Sequence, residues 1–330
     1  MKKFALLFIL FALIITACKK EASPSETNEP VENNPELVST KDISLAMVNV
    51  SDLMILCSMF DEKFSWQNYY PFDAIAGTPS NNSGTITITR NPTENTYLIV
   101  FNKVKGNDGK IRSGNIYLNG GYQPIYNPNP DTSIKSPRIP GYIATVIFIE
   151  FEVDNWKITT EPGKPLVFRN ILNDKNYNPA NTNLAWSLSG KIFLTNTDST
   201  RNISWDGTTV QTLANTSSIA NSKTSPINWS QAVLHYTGLI SGNTSSTVPY
   251  VFTMNTDAPI TRDFNCSISN PALSGANAYH PLVYGTPMFK TSNLAMRYIN
   301  YNSQNSNTYP CDNKARVMVT NLPYEVDLNY

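Results

Sequence analysis

Alternation with a period of two runs through most of this chain. Thr85-Ile86-Thr87-Ile88-Thr89 switches strictly between polar and apolar side chains, the pattern of a strand with one face buried. Residues 142–153 form the longest strand candidate. Ala144, Val146, Phe148 and Glu150 fall on one face, and Thr145, Ile147, Ile149 and Phe151 on the other. Apolar groups on both faces predict a central strand. Shorter strands are expected at 97–101, 113–118, 156–160, 166–172, 186–195 and 202–205. More follow at 233–239, 250–254, 264–268, 294–301, 316–320 and 324–328. Asn107-Asp108-Gly109-Lys110 and Asp206-Gly207 read as hairpin turns, because Asn, Asp and Gly tolerate left-handed backbone. Pro-, Asn- or Ser/Thr-rich stretches at 119–141, 174–183 and 211–228 read as loops.

One segment breaks the period. From Ser39 to about residue 60, Ala46, Val50, Leu53, Met54 and Cys57 recur at helical spacing, with Ser39 or Thr40 as the cap and Asp42 in the first turn. The run is apolar on its other faces too, so a buried strand is the alternative. Trp66, Tyr69, Tyr70 and Phe72 follow as a cover for the core or, less in keeping with their setting, a carbohydrate platform. With no βαβ alternation, the expectation is an all-β, mainly antiparallel, sandwich-like or barrel fold. It carries one short N-terminal helix and spans 39–330 as one body or as lobes 39–175 and 176–330.

The N-terminus has a separate character. Lys2 and Lys3 precede an apolar run from Phe4 to Ile15, and Thr16-Ala17-Cys18 ends it. The run falls short of the roughly 20 residues a spanning helix needs, and Lys19, Lys20 and Glu21 stop it. This layout is that of a secretory signal. Ile15-Thr16-Ala17-Cys18 resembles the lipobox of bacterial lipoproteins, which implies cleavage before Cys18 and acylation of its thiol. Residues 1–17 are then a signal peptide. Residues 18–38, rich in Pro, Glu, Asn and Ser, are a lipidated, disordered tether.

Two further segments carry a resemblance. They are Asp108-Gly109-Lys110-Ile111-Arg112-Ser113-Gly114-Asn115-Ile116 and Cys311-Asp312-Asn313-Lys314-Ala315. Together with the lipobox they make the chain similar to a group of Bacteroidota lipoproteins. Those proteins often carry a cysteine just before the first segment, where this chain has Lys105-Gly106-Asn107. The resemblance implies a cell-envelope location with a lipid anchor at the outer membrane, on either its periplasmic or its surface side. It implies no activity. The two segments also share the pattern Asp-(Gly/Asn)-Lys-x-Arg (108–112 and 312–316), as one hairpin type used twice or two related β units would.

Composition narrows the rest. Charged residues are 15% of the chain and balance at 25 of each sign, without a basic stripe. Nucleic acid is therefore not an expected partner. Apolar residues at 41% and aromatics at 11% suffice for a large core. Among the cysteines beyond Cys18, Cys266 and Cys311 both border polar, turn-rich segments and are expected to pair in an oxidising compartment. Cys57 lies in an apolar run and reads as a buried free thiol.

Candidate chemistry is sparse. His235 and His280 are far apart, and no His-x-x-x-His or Cys-x-x-Cys spacing supports a metal site. No P-loop, dinucleotide fingerprint or Gly-x-Ser-x-Gly elbow is present, so no cofactor is expected. Asp108, Asp206 and Asp312 lack the dense ligand spacing of a calcium loop. Glu150, Glu152 and Asp154 alternate, which places them on one strand face as candidates for a glycosidase pair. Asp198-Ser199-Thr200 resembles the Bacteroidota O-glycosylation sequon. The reading these features favour is a membrane-anchored, non-catalytic module that binds a glycan or a protein, with loop aromatics such as Tyr122, Tyr126, Trp156 and Tyr177 in contact. A carboxylate-dependent glycoside hydrolase is the alternative.

Overall fold

The structure is a computed structural model that describes residues 35–59, 84–91, 93–105, 110–122, 137–138, 141–172, 184–215, 227, 229–266, 268–269, 278–279, 281–292, 296–302, 311–312, 314–319 and 322–328. The signal and Cys18, the cluster from Trp66 to Phe72, the 107–109 turn, Tyr126, Tyr177 and His280 lie outside these residues.

Among the described residues one long helix, α1 (Pro35–Met59), stands inside a β-sheet. The helix begins before Ser39, so Ser39 and Thr40 are not caps but buried members of its second turn. Pro35 occupies the first position, where its missing N–H costs nothing. Leu45, Met47, Val48, Val50 and Leu53 point in different directions around the helix, and all are buried. A helix apolar on every side must be enclosed on every side. The segment Leu37–Met59 is long and apolar enough to cross a membrane, yet it is wholly buried inside the fold.

The sheet supplies that enclosure. Its strands are β1 (Thr85–Asn91), β2 (Thr96–Lys105), β3 (Ile111–Tyr122), β4 (Tyr142–Val153), β5 (Trp156–Thr160) and β6 (Leu166–Asn170). Next come β7 (Ala185–Asn196), β8 (Asn202–Leu213), β9 (Val233–Asn243), β10 (Pro249–Met254), β11 (Ile260–Asp263), β12 (Ile268–Ser269) and β13 (Ala278–Tyr279). The last are β14 (Leu282–Tyr284), β15 (Met288–Thr291), β16 (Arg297–Asn300), β17 (Lys314–Val319) and β18 (Leu322–Asp327). All but the small β12–β13 pair join one antiparallel meander whose path runs from β1 to β18. β5 and β6 lie end to end between β4 and β7. β10 and β11 share the flank of β9 in the same way. Because β6 pairs with β7, the same sheet runs across residue 175.

Contacts from α1 reach widely separated parts of this sheet. Ser51 bonds Tyr236 on β9, Asp52 meets residues on β3 and β11, and Ser44 bonds Tyr301 just after β16. Only a sheet curled around the helix can offer all of these. Inward positions are apolar: Ile86, Ile99, Leu118, Val146, Leu188, Trp205, Phe252 and Val317. Many outward positions are polar, as at Thr87, Lys103, Lys157, Asp206 and Ser241. An outer-membrane barrel shows the reverse.

Several local expectations need correction. Asp206-Gly207 is not a turn but the middle of β8, paired with Lys191 and Gly190 on one side and Ser241 and Ile240 on the other. A Cβ on Gly207 would sit 2.3 Å from the Leu239 carbonyl oxygen, so glycine marks a close strand approach there. The 264–268 strand is displaced: β11 precedes it and Phe264-Asn265 form a turn. β3 extends through Tyr122 and β8 through Leu213, into stretches expected to be loops. β16 is shorter than 294–301, and β14 and β15 were not anticipated.

The two Asp-(Gly/Asn)-Lys-x-Arg segments both open a strand, but they face opposite ways. Arg112 is fully buried against α1, whereas Arg316 is half-buried and its neighbours Ala315 and Val317 point inward. Cys266, after β11, and Cys311, before β17, form a disulfide with Cα atoms 5.3 Å apart. Cys57 is free and buried in α1, and burial pushes its thiol pKa up.

Candidate functional site

The densest polar constellation is internal. Asp52, about two turns from the end of α1, accepts a 2.6 Å bond from Nη1 of Arg262 on its Oδ1. Its Oδ2 lies 3.3 Å from Nη2 of Arg112 and 3.5 Å from Nζ of Lys110. The same Arg262 Nη1 donates to Ser51 Oγ at 2.8 Å. Ser51 shares a 2.5 Å bond with the Tyr236 hydroxyl, which donates to Gln211 Oε1 at 3.2 Å. Burial pushes the Asp52 carboxyl pKa up, but the fields of Arg262, Lys110 and Arg112 and the Arg262 bond outweigh it. The result lies well below the usual carboxylate range. Burial holds the Tyr236 hydroxyl far above its ordinary value. Every member is shielded from solvent, so this network fixes α1 in the sheet rather than meeting a substrate.

A second cluster closes the N-terminal end of α1. Asp42 Oδ1 accepts from Arg201 Nη2 at 2.6 Å, and its Oδ2 accepts from the Ser245 amide and hydroxyl at 2.8 and 2.6 Å. Arg201 also stacks over Trp156, 5.1 Å from the ring centroid. Trp156 is thus half-buried under a guanidinium rather than an open aromatic platform. The β7–β8 and β9–β10 turns thereby grip the point where α1 enters. At the β7–β8 tip, Asp198 Oδ1 accepts from the hydroxyl and amide of Thr200, bonds that hold its pKa below the usual value. Ser199 beside it is exposed.

Glu150 and Glu152 lie together on the outer, solvent side of β4, with Asp154 in the turn beyond it. Asn115 pairs with Ile149 and Ser113 with Glu152, so β4 carries a bulge at Glu150, whose φ is +50°. The bulge resets the alternation so that Phe151 and Val153 turn inward. Glu150 is exposed, Glu152 is half-buried, and Asp154 sits in a turn where its carboxylate accepts from the Ile111 amide at 2.8 Å. His235 is half-buried on β9, and burial lowers its pKa. Among the described residues no three His, Cys, Asp or Glu side chains gather as metal ligands.

A different patch has the shape of a site. On the outer side of β6–β8, Arg169, Asn170, Ile171, Ser187, Ser189, Thr208 and Val210 line an open depression of about 390 Å³. Arg169 stands opposite Ser187, which stands opposite Val210. In the next row Val167, Ser189 and Thr208 face one another, and the two hydroxyls are bonded at 2.9 Å. Small side chains at Ser187 and Ser189 leave the hollow. Its wall is fixed from beneath: Asn170 and Trp186 both donate to the Pro137 carbonyl at 2.9 Å. The sequence reading did not single out these residues, because each looks like an ordinary strand position. The local signal is limited to the two hydroxyls at alternate positions, Ser187 and Ser189, since Thr208 comes from the next strand.

Comparison with protein-family models, with curated proteins and with solved structures finds no match.

Proposed function

We propose that this chain is an exported lipoprotein, held at the outer membrane through a lipid on Cys18, that works as a non-catalytic binding module. The sequence from Lys2 to Cys18 supports the anchor. Two or three acyl chains are enough for stable attachment, and the body they hold carries polar groups over much of its outer face. Between Cys18 and Pro35 the tether reaches at most about 60 Å.

The observation that carries the binding role is the position of α1. Closed and nearly closed β-barrels take small ligands into their lumen. Here Leu45, Met47, Leu53, Ile55 and Leu56 of α1 fill that space. Any ligand is then met on the outer face or the rims. The buried ionisable groups Asp42 and Asp52 are engaged in seating α1. Nothing in the placing of Glu150, Glu152 and Asp154 favours the glycoside hydrolase reading.

The test is a paired capture experiment with the full chain in detergent: a glycan array and a pull-down from solubilised envelope membranes. A retained glycan or protein partner without turnover supports the reading. Hydrolysis of a polysaccharide, abolished by Glu150→Gln or Glu152→Gln, replaces it with the enzyme reading.

A further inference from the structure

We propose that the depression on β6–β8 binds an acidic sugar, with Arg169 taking the carboxylate and Ser189 and Thr208 the ring hydroxyls. The proposal rests on the binding-module reading and gives that module a site and a ligand class.

Charge comes first. Among the described residues Arg169 makes no ion pair and no carboxylate lines the depression. A guanidinium presents a planar fork of donors that matches a carboxylate in two parallel bonds. A single positive group in an otherwise neutral hollow selects an anionic ligand over a neutral one.

Hydroxyls come second. Ser189 Oγ and Thr208 Oγ1 bond each other at 2.9 Å. A hydroxyl has one donor and two acceptor sites, so each retains capacity for a ligand group. Ser187 adds a third hydroxyl on the floor. An inorganic anion uses acceptors alone, whereas a sugar hydroxyl both donates and accepts, as this pair does.

Shape comes third. Val210 and Ile171 border the polar floor and give an apolar surface for the C–H face of a pyranose. The volume of about 390 Å³ is within the range of small-molecule sites. Most of these residues sit on paired strands, with Asn170 tied to Pro137. A site on rigid elements loses little entropy when it binds.

The experiment titrates the full chain in detergent with three probes: a galacturonic acid trisaccharide, the neutral maltotriose, and sulfate. Heat of binding is read for wild type, Arg169→Gln, and Ser189→Phe, which fills the floor; thermal unfolding confirms that each variant folds. The acidic trisaccharide is expected to bind saturably and to weaken as salt rises. Arg169→Gln should cost tenfold or more in affinity, and Ser189→Phe should abolish binding. Equal binding of maltotriose overturns the proposal, as does no saturable binding of the acidic probe or an unchanged affinity in Arg169→Gln. Sulfate binding as tightly as the trisaccharide reduces the hollow to a simple anion site and also overturns it. A partner captured by pull-down while the trisaccharide fails leaves the binding-module reading standing without this site. Failure of both removes both.

Discussion

Asp52 on α1 and Arg262 on β11 are 210 residues apart in sequence, and their side chains meet at 2.6 Å inside the fold. The pair joins the first described element to β11, which lies beside β9 in the sheet. It also sets how deep α1 sits, because Arg112 and Lys110 converge on the same carboxylate from β3 and the residue before it. Replacing a buried pair by matched apolar groups can be neutral, but removing one partner is costly. Asp52→Asn should therefore destabilise the protein by about 3–5 kcal/mol. Urea unfolding followed by tryptophan fluorescence measures this, since Trp186, Trp205 and Trp229 are all buried.

The same carboxyl makes stability depend on pH in a defined direction. Its folded pKa lies below the unfolded value of about 3.9. Such a group contributes stability that is present above the unfolded pKa and is lost as pH falls through the folded one. The gap in stability between wild type and Asp52→Asn should be full near pH 7 and shrink below about pH 4. Unfolding midpoints measured across that range check it.

The bulge at Glu150 depends on its partner across the ladder. Gly114 has φ +84°, and a Cβ there would lie 1.9 Å from the Glu150 carbonyl oxygen. Gly114→Ala should cost roughly 2 kcal/mol or more, from backbone strain and displaced β4 together. Gly121, where a Cβ meets nothing, should tolerate alanine with much less loss. Thermal unfolding of the two variants side by side makes the comparison.

The sulfur chemistry is equally divided. The Cys266–Cys311 bridge spans 45 residues, for which loop-closure entropy gives up to about 4 kcal/mol. Cys266→Ser should lower stability by roughly 2–4 kcal/mol. Cys57, buried with its thiol pKa raised, should resist thiol reagents in the native protein and react once urea unfolds it.

How much of this was legible in the sequence depends on pattern length. The bounds of β4 and β5 follow directly from long alternation and flanking turns. β14, of three residues between Pro281 and Gly285, and β15, of four residues after Pro287, are too short to show a period. The early start of α1 was masked by Ser39 and Thr40, which look like caps, while Pro35 held the true signal. Asp206-Gly207 looked like a turn because glycine serves close strand contact as well as turns. The bulge at Glu150 broke the face that strict alternation assembles from Ala144, Val146, Phe148 and Glu150. Of the expected site residues, Cys266 and Cys311 do meet. The partners of Asp52 were invisible, because they lie 58 to 210 residues away. The depression beside Arg169 was invisible too, because cross-strand register rather than local sequence brings its hydroxyls together.

The central claim, a lipid-held binding module, is tested most directly by the mass and membrane partition of the mature N-terminus. Wild-type protein from its native envelope should begin at Cys18, carry acyl chains there, and sediment with membranes, while Cys18→Ser should lose both the acyl mass and the processing. An unacylated wild-type N-terminus, or membrane association unchanged in Cys18→Ser, would contradict the account.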